Sequence, residues 1–293
     1  MSKAIDRLFL SSSCFNDKTV FQMMDIVSSF GMAGLELGSF SGRVPPCDEI
    51  LQASREKGVR LLVHNYFPPA FSPFVMNLGA EDKAVREKSL LLAEKAILFC
   101  ELAGIPFYSV HAGFSCHAEP EDLGCPLTSL PRFSKDQAVD NFILSIRRLC
   151  SFAVARGVSI AVENHVVAQF NLVDGYNVLL PGATPEELLY ILNESRAENI
   201  GLLVDFGHLK VTSNTLGFDA CVALKKLLPY TFGVHIHDND GCSDIHLPIH
   251  EKAWFMDLLR DSSYSNFLLV LEMPGLSLDS LDKQIALFNK DGR

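Results

Sequence analysis

The stretch TPEELLYILNESRAENIGLLVDFGH, residues 184–208, changes its periodicity halfway along. TPEELLYIL reads as the start of a helix, with Thr184 as N-cap, Pro185 at the first helical position and Glu187 completing a capping box. NIGLLVD (199–205) reads as a short buried strand that ends on an acid, and His208 follows that acid by three residues. Is this helix-to-strand passage a single event or a repeat?

It repeats along the whole chain. Short apolar runs rich in β-branched and aromatic residues alternate with amphipathic segments of helical length. The strand candidates are RLFLS (7–11), AGLELG (33–38), VRLLVHN (59–65), PFYSVHA (106–112), VSIAVEN (158–164), NIGLLVD (199–205), TFGVHIH (231–237) and NFLLVLE (266–272). Between the third and fourth, EDKAVREKSLLLAEKAILFCELAG is a long helix that Gly104 ends. Eight βα units with no second type of composition predict an α/β fold, a (β/α)8 TIM barrel in one domain over residues 1–293. A doubly wound open sheet is the alternative, because repeats alone do not prove closure.

Composition narrows the functions. With 293 residues, 48% of them hydrophobic, the chain is long enough for one large core. The start of the chain shows no signal-peptide pattern and no window approaches the length of a membrane span, so a cytoplasmic protein is expected. The eight cysteines contain no CxxC pair and suit buried thiols better than disulfides or a zinc ribbon. A formal charge of −10 works against nucleic acid, whose phosphates require clustered Lys and Arg. Loops after the strands offer Arg43, Arg132, Lys210 and Lys252 as their main cations. They face Asp48, Glu49, Glu119, Glu121, Asp122, Asp174, Asp238, Asp240, Asp244 and Glu251. An acidic mouth of this kind repels DNA, and the absence of arginine after strands seven and eight speaks against a phosphorylated sugar.

The chemistry gathers at the strand ends. In a barrel the active site lies at the C-terminal ends of the strands, and there the apolar runs finish on His64, His111, Glu163, Asp205, His235 with His237, and Glu272. A polar side chain leaving such a run needs a partner. Any one of these histidines is more often a hydrogen-bonded core residue than a ligand. Their convergence with carboxylates instead suggests a divalent metal, Zn, Mn, Co or Fe. Asp244 and His246, two apart, point to one side of an extended segment, although a turn stabilised by an Asp side chain has the same spacing.

The segments HNYFPP, NLGAEDKAVREKSLLL, VHAGF, AVENH, VDFGHL, HIHDNDG, DIHLP and LVLE resemble the xylose isomerase-like (AP endonuclease family 2) TIM-barrel superfamily. That superfamily includes sugar epimerases, inosose-type dehydratases and isomerases, and endonuclease IV. The resemblance implies that Glu163, Asp205, His235 and Glu272 hold a central metal. It implies that His64, His111, His208, Asp244 and His246 match the further ligands of a trinuclear zinc centre. The HLPIHEKAW segment departs from the family, with His250 and Lys252 where many relatives carry Gly-x-Gly.

Within this superfamily the acidic mouth favours the sugar isomerase and epimerase branch over the endonuclease branch. The expected reaction is proton transfer through an enediolate of a small sugar or polyol. Glu163 and Glu272 exchange the proton, His208 assists as a third catalytic group, and Lys210, His237 and Asn164 contact substrate. An endonuclease IV-like zinc phosphodiesterase, and a metal-binding barrel without turnover, are the alternatives. No interface pattern fixes an oligomeric state, though the outer helices allow an oligomer.

Overall fold

The computed structural model describes residues 4–38, 44–260 and 267–289; Arg43 and Asn266 lie outside them. Eight parallel strands form one closed barrel in the order of the sequence. They are β1 (Leu8–Ser11), β2 (Gly34–Leu37), β3 (Arg60–His64), β4 (Phe107–His111), β5 (Ser159–Glu163), β6 (Ile200–Asp205), β7 (Thr231–Ile236) and β8 (Leu268–Leu271). Closure is carried by β1 against β8, with Leu8 opposite Leu269 and Leu10 opposite Leu271, which removes the open-sheet alternative. Helices α1 (Val20–Ser29), α2 (Cys47–Lys57), α3 (Lys83–Ala103), α4 (Lys135–Val154), α5 (Pro185–Ser195), α6 (Phe206–Leu216), α7 (Ala220–Leu227), α8 (Met256–Arg260) and α9 (Leu278–Asn289) lie between and after the strands.

Local sequence sets the ends of these elements. Asp82 caps α3, and Gly104 ends it in the left-handed conformation that favours glycine. Thr184 caps α5 by accepting the Glu187 N–H. The expected reciprocal half of that capping box is shifted: the Glu187 carboxylate accepts the Ala183 N–H at 3.0 Å and pairs with Lys135 on α4, tying α5 to its neighbour. Strands such as β1, β2 and β5 are buried along almost their whole length, as a parallel sheet covered on one face by helices and packed inside on the other requires.

All eight cysteines are free thiols, with Cys14, Cys100, Cys116 and Cys150 buried. Burial pushes the Cys14 thiol up to about 12, even though Met273 donates to it. Among the described residues no helix is long and apolar enough to cross a membrane.

A second, smaller apolar cluster sits on the rim. Cys116 and Leu127 from the loop after β4 pack with Val167, Leu179, Leu180 and Ala183 from the loop after β5. Ser115 fastens the two loops, its N–H donating to the Leu179 carbonyl at 2.9 Å and its hydroxyl to the Val178 carbonyl at 2.6 Å. The apolar run VVAQFNLVDGYNVLL therefore buries much of itself in rim packing, leaving Phe170 and Tyr176 exposed.

The barrel wall leaves no room at Gly34. A Cβ there would lie 2.2 Å from the Arg60 carbonyl oxygen and 2.4 Å from the Phe9 ring, on the two strands that flank β2. Gly34→Ala is expected to cost roughly 3 kcal/mol, the upper end for overpacking because one neighbour is backbone, measurable as a lower urea midpoint at unchanged slope.

Candidate metal centre

Strand register brings the polar strand ends together. His111 lies opposite Glu163, and Asp205 opposite His235. Glu163 is 1% exposed, and Asp205, His235 and His237 are fully buried. Among the described residues the possible ligand atoms fall into three groups: His64, His111 and Glu163; Glu163, Asp205 and His235; and His208, His237, Asp244 and His246.

The Glu163 carboxylate is shared by the first two groups. Its Oε2 lies 3.2 Å from Nε2 of both His64 and His111, and its Oε1 3.3 Å from His235 Nδ1. The same His235 nitrogen lies 3.0 Å from Glu272 and 3.8 Å from Asp205, so three carboxylates face one imidazole nitrogen. In the third group Asp244 Oδ2 lies 3.2 Å from Nε2 of both His208 and His246.

Hydrogen bonds behind the rings show which nitrogen each presents. His208 Nδ1 faces the Asn164 carbonyl at 2.9 Å and His246 Nδ1 the Glu272 carbonyl at 2.9 Å. A carbonyl only accepts, so both Nδ1 atoms carry hydrogen, and Nε2 is the ring atom that each turns toward Asp244. His64 follows the same pattern. The Ser109 hydroxyl donates to the Val63 carbonyl and so accepts from His64 Nδ1, while the Asn65 amide donates to Nε2 at 2.7 Å.

Buried carboxylates crowded around His208, His235 and His246 need positive charge close by, which protons on these imidazoles supply and which a divalent ion would supply in their place. Glu163 Oε2, His235 Nδ1 and Asp244 Oδ1 are buried with no hydrogen-bond partner. Metal bonds of ~2.1 Å in a tetrahedron place neighbouring ligand atoms ~3.4 Å apart, close to the separations found in these groups. The residues present therefore fit divalent ions of the Zn, Mn, Co or Fe type.

Side-chain ionisation follows the same field. Burial opposes charge on His235, but the Glu36, Glu272 and Glu163 carboxylates hold its pKa well above the ordinary imidazole range. His246 is likewise disfavoured by burial and is raised to about 9 by Asp244. Burial opposes ionisation of Glu272, yet His235 beside it, with His246 and His64, brings its pKa down to about 2. His111, buried among His165, His64 and His208, is pushed well below the imidazole range and stays a neutral donor of its lone pair.

The expected substrate-contacting residues occupy different places. Asn164 spends both ends of its amide on the Asp205 backbone, accepting from its N–H at 2.8 Å and donating to its carbonyl at 3.1 Å. Lys210 is held by Asp238 at 2.7 Å and the Asn239 carbonyl at 2.6 Å, so it ties down the loop after β7. His237 turns Nδ1 to the Asp238 carbonyl at 3.3 Å and Nε2 to the Asp205 carboxylate at 3.1–3.2 Å, and it stacks on His246 with ring centres 3.8 Å apart. Gly207 makes that position available, since a Cβ there would lie 1.9 Å from the His237 ring.

Sequence reading missed two buried groups. Glu36 reaches His235, and its signal was an acid inside the apolar strand GLEL, one residue before the strand end. His165 stacks on His111 with centres 4.7 Å apart, and its signal was the third polar residue of ENH.

A parallel eight-stranded barrel with its titratable side chains gathered at the C-terminal strand ends defines a recognisable class. The chain belongs to the xylose isomerase-like TIM barrel family, whose family model matches residues 24–290. The solved structure of a D-tagatose 3-epimerase-like protein is similar over 98% of this chain and 100% of that one, with a TM-score of 0.70 and 19% identity. A probable endonuclease 4 of Aquifex aeolicus is 22% identical over 218 residues, 69% of each chain. An uncharacterized protein of Methanocaldococcus jannaschii is 30% identical over 118 residues, and the match spans only 36% of that protein's length.

Because Glu163 serves two groups, its loss and that of Asp244 should differ in kind. Glu163→Gln is expected to weaken the binding of two ions and Asp244→Asn that of one, each by more than the roughly 100-fold that losing an outer partner costs. Metal content by mass spectrometry after dialysis, compared with the wild type, gives the count.

Proposed function

We propose that this protein is a divalent-metal-dependent isomerase or epimerase of a small uncharged sugar or polyol, working by proton transfer at carbon. The observation that carries this reading is that Glu163 of β5 and Glu272 after β8 approach the same His235 nitrogen from two separated strands, at 3.3 and 3.0 Å. Two carboxylates flanking one position suit a reaction in which one removes a proton from carbon and the other returns it, on the same or the opposite face. Glu163, Asp205, His235 and Glu272 would hold a divalent ion there, which would supply stabilisation of negative charge developing on a substrate oxygen.

This chain's own residues account for the rest. Asp205, as N-cap of α6, accepts the His208 N–H at 2.6 Å, which fixes its carboxylate beside the helix N-terminus. Rim packing after β4 and β5 reaches the centre through Phe114, which packs on His165, and His165 stacks on His111. Lys210, already paired with Asp238, adds no free cation for a phosphate. Zn, Mn, Co and Fe all suit the ligands, the expected partner is a carbohydrate rather than nucleic acid, and cytoplasmic localisation remains the expectation.

A second reading, a zinc phosphodiesterase, is favoured by one observation: three ligand groups offer more donors than a single ion uses. The likeness to a probable endonuclease 4 points the same way.

Metal-replete protein in deuterated water should place solvent deuterium on carbon in a sugar drawn from a panel of ketoses and aldoses. Glu163→Gln should slow that exchange by roughly 100-fold or more. No exchange across the panel sinks the isomerase reading, and cleavage of abasic-site DNA by the same preparation replaces it with the second.

A further inference from the structure

Among the described residues the buried carboxylates Glu36 and Asp238 lie outside all three ligand groups, and Asp238 is held by Lys210. Glu36 sits on β2, 1% exposed, and reaches across the barrel to β7, a strand that is not its neighbour in the sheet. Its oxygens lie 3.0 and 3.1 Å from His235 Nε2. Leu35 and Leu37 on either side are fully buried core residues. A lone carboxylate in such surroundings is costly unless it is paired, and His235 is the partner that it has.

The consequence is on the far side of the ring. A neutral imidazole that donates Nε2–H to a carboxylate has its lone pair on Nδ1, the atom left to bind once an ion displaces the proton held there. His235 Nδ1 is the buried, unpartnered atom that faces Glu163 and Glu272. We propose that Glu36 is a positioning residue that selects the Nε2–H form of His235 and aims its Nδ1 at the central metal position. Glu36 touches neither that position nor the open mouth, and it acts only through the ring. The pattern differs from that of His208 and His246, whose Nδ1–H atoms go to backbone carbonyls and whose Nε2 atoms face inward. His235 is thus presented in the opposite sense, held by a charged side chain where the others are held by the main chain.

This inference rests on the metal reading of the site and is independent of which reaction the site performs. Wild type, E36Q and E36A are loaded with cadmium and with histidine labelled in its ring nitrogens. Ring nitrogen–proton and cadmium–proton NMR then report which His235 nitrogen carries hydrogen and which binds the ion, and competition with a chelator reports affinity. In the wild type Nδ1 should be bound and Nε2 protonated. E36A should lose roughly 10–100-fold in affinity at the ion that couples to His235, the range for an outer partner of a ligating histidine. Its ring signals should shift to a mixed form. E36Q keeps the shape and one accepting oxygen and should fall between the two, which separates positioning from misfolding. Unchanged affinity or an unchanged His235 spectrum in E36A overturns the assignment. A wild type that takes up no ion removes the metal reading as well. Absence of sugar exchange, with these binding results intact, counts only against the proposed reaction.

Discussion

The centre of this barrel is organised by buried negative charge on Glu36, Glu163, Asp205, Asp244 and Glu272 that, among the described residues, forms its ion pairs with histidines. Glu36, Glu163 and Asp205 are essentially inaccessible, and Glu272 and Asp244 are largely so. Each ionised carboxylate taken out of water costs several kcal/mol unless a positive partner stands close by. Histidines are what the fold supplies, and the acids raise the pKa of His208, His235 and His246 so that their rings hold protons. The site is therefore complete as a set of ligand atoms, and a divalent ion is what would take the place of those protons.

The fold makes that arrangement affordable to hold. Parallel strands end at one level, so residues far apart in sequence arrive side by side, as His111 and Glu163 do, or Asp205 and His235. Backbone carbonyls just beyond the strands then orient the imidazoles. Asn164 and Asn65 stitch adjoining strand ends together, with Asn65 accepting the His111 N–H while its own carbonyl accepts the Tyr108 hydroxyl. The backbone at Asn65 and His246 takes positive φ of 44° in both, an uncommon conformation for residues other than glycine that is kept here at two positions beside the ligands.

Much of this was legible in the sequence because two periods were easy to read. Eight apolar runs marked eight strands, and a polar residue ending a run such as IAVE or LLVD marked a strand end facing the site. Glu36 escaped because it stands inside its run, before Leu37. The fixed bonding of Asn164 and Lys210 escaped because spacing does not say what a long or amide side chain meets across the barrel. Residue type gave Lys210 a free charge that Asp238, 28 positions away, takes up. Closure itself depends on β1 meeting β8 and has no signature in any local stretch.

The rim cluster after β4 and β5 has a consequence for how such a protein diversifies. Its apolar residues pack largely on one another, and its loops are fastened to each other by Ser115. It is nonetheless joined to the strand tips, since Phe114 packs both on the cluster and on His165, which stacks on His111. Drift in the rim is therefore transmitted through two rings to the reactive groups, so that selectivity and the geometry of the centre are inherited together.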